Sequence, residues 1–467
     1  MEILNNWISG INDLLWSYVL IIMLLGCAFR FTFKTRFVQF RMFREMIRVL
    51  GDSANKAHEG EKHISSFQAF AVSLASRVGT GNLAGVATAI AVGGPGAVFW
   101  MWIIALLGSA SAFVESTLAQ LYKRKGKESF IGGPAYYMRY GLGLNWMGIL
   151  FAILISVTFG FAFNSVQSNT ICAAMQGSFG FDPRIVGAVL TVLTLAIIFG
   201  GIQRIAKVSS VIVPVMALGY VALASGIVLF NITELPAVIK LIVSSAFGWE
   251  QAAGGTIGAA LMQGIKRGLF SNEAGMGSAP NAAATADVSH PAKQGLVQML
   301  SVFIDTLLIC SATAFMCLCS GVVPTKEAAG AAYVQASMQQ ALGSFGPIFI
   351  AVSMSLFAFT TLIGNYYYCE GCLKYILRRD PSKAGMTVFR LAATALVFVG
   401  AIVSAGLAWD TADMLQGTMV IINIPVILIL SNKGLAVLKD YMRQRKEGKN
   451  PEFHAADIGI TGTDYWN

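Results

Sequence analysis

Apolar residues run along this chain in stretches of about 20, separated by short polar connections, which is the length a helix needs to cross a hydrocarbon core. Eleven spans are predicted, near residues 14–33, 66–92, 96–121, 146–176, 184–201, 208–230, 250–285, 296–321, 344–372, 386–405 and 411–431. Two of them carry glycine-rich interruptions. The first is Ser76-Arg77-Val78-Gly79-Thr80-Gly81-Asn82, and the second is Ser271-Asn272-Glu273-Ala274-Gly275-Met276-Gly277-Ser278-Ala279-Pro280. Lipid offers no partner to a free backbone N–H or C=O, so small residues grouped with Thr, Asn and Ser at mid-span suggest helix unwound where it meets polar cargo. One such interruption in each half of a long apolar chain points to a transporter binding site. Close helix packing is the competing reading of these glycines. It suffices for Gly93-Gly94 and Gly254-Gly255, and less well for Gly-Thr-Gly-Asn, because packing does not call for a neighbouring amide.

The charges give the spans a direction. No Lys or Arg precedes the first apolar run, while Lys34, Arg36, Arg41, Arg44 and Arg48 follow it closely, the reverse of a secretory leader. An outside N-terminus and a retained first helix are expected. Alternating the spans from there leaves only Arg184, Lys240 and Lys326 of the 33 Lys and Arg in outside loops; most of the others fall in inside loops and the tail. Setting the first span aside, spans two to six and seven to eleven begin on opposite sides, and each group opens with an interrupted helix. The expected fold class is therefore an all-α polytopic membrane protein: 11 transmembrane helices in a five-plus-five inverted repeat plus one extra N-terminal helix. The corresponding segments are 1–63, 64–231, 232–431 and a solvated cytosolic tail, 432–467.

Composition fits this class. Of 467 residues, 55% are hydrophobic and 12% charged, against roughly 25% charged in a soluble domain. A net charge of +9 suggests nucleic acid, but the basic residues lie between apolar spans, where membrane orientation explains them. Four His and seven Cys argue against a histidine-rich metal centre or a disulfide scaffold. Cys369 and Cys372 form a C-x-x-C with no second pair at zinc spacing. An intramembrane enzyme would need a nucleophile with a base, or a motif such as H-E-x-x-H, and no His is placed for one.

Sodium and a neutral zwitterion need few groups. Uncharged carbonyls and hydroxyls serve the cation, N–H groups at a helix N-terminus serve a carboxylate, and carbonyls serve an ammonium. The first break offers these through Val78, Gly79, Thr80 and Gly81 with the Asn82 side chain, and the second through Gly275, Met276, Gly277 and Ser278. Span nine adds Thr360-Thr361, unless these hydroxyls merely bond back to the preceding turn. In span four, Asn164, Gln167 and Asn169 form a polar cluster of which at least one member should face a cavity. Charges inside spans are Arg77, Glu115, Glu273, Asp305 and Glu370. Arg77 is a candidate for an internal ion pair with Glu115, Glu273 or Glu370, holding either a gate or the packing. Lys266-Arg267 is placed near the cytosolic mouth, and Asp410 and Asp413 at a solvated outer end.

At these motifs the chain resembles the alanine/glycine:cation symporter family, the sodium:alanine symporters. The matching runs are Arg-Val-Gly-Thr-Gly-Asn-Leu-Ala-Gly-Val-Ala-Thr-Ala-Ile (77–90), Gly-Gly-Pro-Gly-Ala-Val-Phe-Trp-Met-Trp (93–102) and Arg-Gly-Leu-Phe-Ser-Asn-Glu-Ala-Gly-Met-Gly-Ser-Ala-Pro (267–280). The resemblance implies a multi-pass bacterial inner-membrane protein importing alanine, glycine or a related neutral amino acid with sodium, on the fold of the sodium-dependent leucine transporters. It also implies a sodium site from the carbonyls of Ala75 and Val78 with Thr360 and Thr361. The amino acid would be surrounded by Thr80, Gly81, Asn82, Gln167, Gly277 and Ser278, with Met276 beside them. Alanine-transporting members carry Trp after Ile-Gly in span nine, where this chain has Asn365. Loss of an indole leaves volume and an amide, which suits a larger polar side chain such as that of glutamine; alternatively Asn365 bonds its own surroundings and alanine remains the cargo. A proton-coupled or uncoupled carrier is the other reading. For protons, Glu273 is the first candidate.

Overall fold

The computed structural model describes residues 2–52, 64–126, 129–248, 256–326 and 328–466. Among these, eight helices are long and apolar enough to cross a membrane: α1 (Asn6–Lys34), α5 (Gly96–Leu121), α6 (Asn145–Phe179), α8 (Gly201–Phe230), α12 (Pro291–Cys319), α14 (Phe345–Leu377), α15 (Lys383–Ile402) and α16 (Ala405–Lys446). Between them lie α2 (Phe43–Leu50), α3 (Ser66–Arg77), α4 (Gly81–Gly93), α7 (Pro183–Ile198), α9 (Leu235–Ala246), α10 (Ile257–Asn272), α11 (Pro280–Ala283) and α13 (Ala331–Leu342). Two short antiparallel strands, Arg124–Lys125 and Phe130–Ile131, are the only sheet among the described residues.

The helices begin where the chain supplies side-chain acceptors for the first free N–H groups. Ser65 and Gln68 close a capping box on α3, Asp182 caps α7, Thr256 caps α10 and Ser382 caps α15. The core is formed by α5, 67% buried over its apolar window, against α10 and α12; α15, 22% buried, is peripheral. The outer surface is apolar all round: Phe230, Leu218, Val215 and Ile429 are each at least two-thirds exposed. A surface of that kind is stable against hydrocarbon and not against water.

Several expected elements shift. The first helix begins before residue 14, and the last runs from Ala405 to Lys446, well past the expected end at 431 and across the boundary placed at 432. Two helices, α9 and α13, occupy connections expected to be loop. The span expected over 250–285 starts at Ile257; residues 249–255, with Gly254-Gly255, lie outside the described residues.

The segment after α16 is not a solvated tail. Gln444 brackets it, donating to the Glu452 carbonyl (2.7 Å) and accepting from the Glu452 N–H (3.0 Å). Phe453 N donates to the Ser289 carbonyl, Ser289 Oγ to the Pro451 carbonyl, and Trp466 Nε1 to the Gln120 carbonyl at 2.8 Å. Phe453 and Trp466 are buried. Lys123 donates to the Ala286 carbonyl (3.0 Å) and faces the rings of Phe130, Tyr465 and Trp466 at 4.0, 4.5 and 4.7 Å. Apolar and aromatic side chains at wide spacing, in a stretch of polar composition, thus strap the tail across the basic end of the bundle.

His290 ties this strap to the start of α12. Its Nδ1 accepts from the Ala292 N–H (3.1 Å), its Nε2 lies 3.3 Å from Asp440 Oδ2, and Tyr441 and Phe453 flank the ring. Burial holds the imidazole below its ordinary pKa, with Asp440 opposing. A neutral ring accepts at Nδ1; a protonated one would present N–H to N–H and lose the cap. Because the folded pKa is depressed, the unfolded chain binds more protons below about pH 6.5, so this stability is present above that value and lost as pH falls. His290→Asn, which keeps a capping oxygen without titrating, is expected to flatten the fall in thermal midpoint between about pH 7 and 5. Parallel profiles for the two proteins would show that His290 is not the titrating group.

Candidate functional site

Helix α3 ends at Val78, whose ψ of 86° leaves the helical region, and the backbone resumes at Thr80 as a π-turn over Gly81–Gly85. The Asn82 side chain accepts from the Gly79 N–H (2.9 Å), so the break is closed from within the motif. Neighbouring helices satisfy the rest. Gln167 Oε1 accepts from the Thr80 N–H (2.9 Å), and Thr361 Oγ1 lies 2.9 Å from the Ala75 carbonyl and 3.3 Å from that of Val78. A Cβ at Gly79 would collide with the Thr361 hydroxyl and come within 2.7 Å of Gln167 Oε1. Glycine is required there for close approach, not for an unusual φ. The Thr80 hydroxyl is fully buried and has no protein partner.

The second break begins at Glu273, which holds φ +56° at the C-terminal end of α10, a position that favours glycine. Gly275 and Gly277 follow at +87° and +86°. The Glu273 carboxylate explains the departure: Ser76 donates to it from the first break (3.0 Å) and Ser278 from the second. Glu115 on α5 accepts from the Gly275 N–H (3.0 Å), and Asn423 on α16 donates to both Glu115 (3.0 Å) and the Gly275 carbonyl (2.9 Å). Tyr137 in turn donates to Asn423.

Asp305, in a π-helical turn of α12, joins the two breaks. Its Oδ1 accepts from Asn82 Nδ2 (2.7 Å), and its Oδ2 accepts from the hydroxyls of Ser271 and Thr306 (2.8 Å each). One fully buried carboxylate therefore holds side chains of both interrupted helices. π-Turns of this kind recur at functional sites. Above Gly81, Phe270 stacks on Phe163 (centroids 4.4 Å, 17°) and packs against Trp409 (4.8 Å), forming an aromatic cover.

The sequence-predicted residues divide accordingly. Thr80, Gly81, Asn82 and Gln167 gather at the first break. Ser278 is engaged by Glu273, Met276 is buried, and Gly277 packs against α16 and α6, where a Cβ would be 2.9 Å from Asn423 and Phe151. Asn365 is fully buried and donates to Asn164 (2.8 Å), while its Oδ1 lies 2.7 Å from the Ser76 hydroxyl, whose one proton it shares with Glu273. Of the expected sodium ligands, Ala75, Val78 and Thr361 come together. Both hydroxyls bond back to the Phe357 carbonyl, Thr361 at 3.1 Å and Thr360 at 2.8 Å, but Thr360 turns towards Met216 and bonds neither break carbonyl.

The expected ion pair is not formed. Arg77 donates to Gln298 Oε1 (3.1 Å), and its Nε and Nη2 have no partner; Glu115, Glu273 and Asp305 feel its charge without bonding it. Glu370 belongs to a separate cluster with Lys374 (3.2 Å), Arg390 (3.8 Å) and the Tyr366 hydroxyl. Asp413 is not solvated but buried, and it binds both Lys266 and Arg267 at 2.6 Å. That pair therefore sits by the start of α16, at the end opposite the basic one. Asn423, Tyr137, Phe163 and Phe270 are binding-site neighbours that the sequence reading does not name, and Asp305 enters it only as a charge inside a span. Besides Asp305, only Phe270, adjacent to Ser271, carries a local signal.

The profile of the sodium:alanine symporter family matches residues 1–455. The chain is 51% identical over 453 residues to the probable sodium/glutamine symporter GlnT of Bacillus subtilis, covering 97% of this chain and 94% of that protein. It is 51% identical over 463 residues to the amino-acid carrier protein AlsT of the same organism, covering 99% and 97%. Among solved structures, a manganese transporter of Eremococcus coleocola matches with a TM-score of 0.53 at 15% identity, over 89% of this chain and 85% of that one, a likeness of fold. With a family profile over residues 1–455 and relatives aligned from end to end, the chain belongs to the sodium:alanine symporter family, whose members are membrane transporters and not enzymes.

Proposed function

We propose that this protein imports a neutral amino acid together with sodium by alternating access, across a bacterial inner membrane, with its N-terminus outside and its C-terminus in the cytosol. In this reading 11 helices cross the bilayer. The segments 64–231 and 232–431 are inverted repeats, each opened by a broken helix, and 1–63 supplies an additional helix. The carrying observation is the Thr361 hydroxyl set across the Ala75 and Val78 carbonyls. Three neutral oxygens converge there at a helix break, a donor set that suits a weakly held monovalent cation. The buried Thr80 hydroxyl, free of protein partners, and the Gly81 N–H would take the amino acid's carboxylate. Asn82, Gln167, Met276, Gly277, Ser278 and Asn365 would complete the surround, with Phe270 and Phe163 excluding water above it.

Purified protein in proteoliposomes is expected to accumulate radiolabelled amino acid only under an inward sodium gradient. Thr361→Ala should raise the sodium concentration for half-maximal uptake about tenfold, the equivalent of ~1.4 kcal/mol, and Thr360→Ala much less, since its hydroxyl lies against Met216 and bonds neither the Ala75 nor the Val78 carbonyl. Equal shifts in both variants would remove the distinction, and uptake without sodium would overturn the coupling.

Asn365 is the residue proposed to set side-chain size. Its amide bonds Ser76 and Asn164, and a cargo amide inserted between Asn365 and Asn164 would accept from the one and donate to the other, leaving neither unpaired. Glutamine is therefore the expected cargo over alanine, in keeping with the name of one relative. Asn365→Trp should depress glutamine uptake by at least roughly tenfold while sparing alanine. Unchanged glutamine uptake would leave Asn365 a structural amide.

Proton coupling is the second reading, and Glu273 carries it: a buried carboxylate that touches both breaks through Ser76 and Ser278. Under sodium coupling, Glu273→Gln should weaken uptake without conferring or removing dependence on a pH gradient. Uptake driven by a pH gradient alone, and abolished in this variant, would favour protons.

A further inference from the structure

The seam between the end of α1 and the last turns of α16 holds a groove of about 900 Å³, remote from the breaks. Six cationic side chains line it: Lys34, Arg36, Arg41, Lys439, Arg443 and Lys446. No carboxylate among the described residues does. Arg443 is paired with Asp440, and Arg41 donates to the carbonyls of Arg36 (2.6 Å) and Thr35 (3.1 Å), bracing the turn. Lys34, Arg36, Lys439 and Lys446 have no acidic partner among the described residues. Of the neighbouring carboxylates, Glu45 pairs with Arg48 and Arg445, Asp440 with His290 and the groove's own Arg443, and Glu447 with Lys449.

Six like charges around one concavity repel each other, and solvated surface lysines would ordinarily spread apart. Here the backbone gathers them. Arg36 and Phe37 both adopt left-handed conformations, φ 55° and 58°, that non-glycine residues seldom hold. The turn puts Arg36 into the groove and leaves Phe37 at the surface. Phe33, Leu435 and Met442 supply an apolar lining. Continuing along α1 and the turn, Phe29, Phe33, Phe37 and Phe40 form an exposed ladder with centroid separations of 6.5, 5.4 and 6.5 Å. Lys34 closes the apolar helix α1, so the cations stand at the level where hydrocarbon meets headgroups.

We propose that this groove is a binding site for an anionic phospholipid, its headgroup phosphate among the cations and its acyl chains on the phenylalanine ladder. Basic pockets between transmembrane helices take such headgroups. The charge count favours a lipid with two phosphates, of the cardiolipin type, over one with a single phosphate. The exposed ladder favours a lipid over free phosphate, which has nothing to place there. Bound so, the lipid clips the additional N-terminal helix to the last helix. The proposal rests on the chain lying in a membrane and not on which cargo it carries.

The test uses the full-length protein, delipidated in detergent. Cardiolipin, and more weakly phosphatidylglycerol, should raise the thermal midpoint saturably and persist as a single adduct in native mass spectra; phosphatidylcholine and inorganic phosphate should do neither. Lys34→Gln/Lys439→Gln/Lys446→Gln should weaken cardiolipin binding at least about tenfold, whereas Lys207→Gln/Lys326→Gln/Lys383→Gln should retain it. A photoactivatable cardiolipin on the wild-type protein should label peptides within 29–42 and 432–446, an arm that needs no variant. Equal stabilisation by phosphatidylcholine, displacement by millimolar phosphate, equal loss in both triple variants, or labelling confined to other segments would each overturn the site.

Discussion

The rest of this structure depends on one constraint: a helix interrupted inside a membrane must have its freed backbone groups met by other parts of the protein. At the first break, Gln167 meets the Thr80 N–H and Thr361 the carbonyls of Ala75 and Val78. At the second, Glu115 meets the Gly275 N–H and Asn423 its carbonyl. These partners come from four different helices, so the two breaks are where the bundle is tied together. The groups that would hold a cargo are therefore the groups that hold the fold, and any movement opening one must exchange hydrogen bonds in the other.

Buried charge makes the tie stronger. Asp305 takes three side-chain hydrogen bonds, from Asn82, Ser271 and Thr306, and Glu273 takes hydroxyls from Ser76 and Ser278. A carboxylate in a dry interior is tolerated when its lone pairs are met, and losing a partner leaves an uncompensated penalty. Each carboxylate draws on both interrupted helices, so the penalty couples them. Arg77 offsets this negative charge from a distance while two of its nitrogens stay unpaired. A direct ion pair would lock the helices; a nearby, unbonded cation leaves them free to shift.

The ends of the bundle are organised by different physics. At one end Asp413 gathers Lys266 and Arg267, with Arg267 against the ring of Trp409 and Lys266 facing that of Trp16. At the other, the segment after α16 returns to cover Lys123 with two aromatic rings, Tyr465 and Trp466, beside that of Phe130, and to bond Ser289. That strap lies beside the basic seam where α1 meets α16. The first and last helices, which bracket the two interrupted ones in the chain, are thus fixed to each other and to the turn that follows the second break.

By itself the sequence determined the class of the protein, most of the long helices, and both breaks, because these are local. Apolar runs of membrane length, glycines at 79, 81, 275 and 277, and an amide at 82 able to close its own turn act over a few residues and need no distant partner. Their resemblance to a family extended this reading to Thr361. Only the tertiary structure decided which buried charges meet. Asp305 reaches Asn82 across 223 positions, Asn423 reaches Glu115 across 308, and Asp413 takes Arg267 from 146 away. Arg77, adjacent to the first break, meets none of the carboxylates its position suggested. Helix rotation sets these pairings: a side chain 100° off one face points to another helix altogether. The tail was misread for a related reason. Its polar composition describes its average residue, whereas Phe453 and Trp466, thirteen positions apart, supply its burial only once the bundle presents Ser289 and Gln120 to receive them.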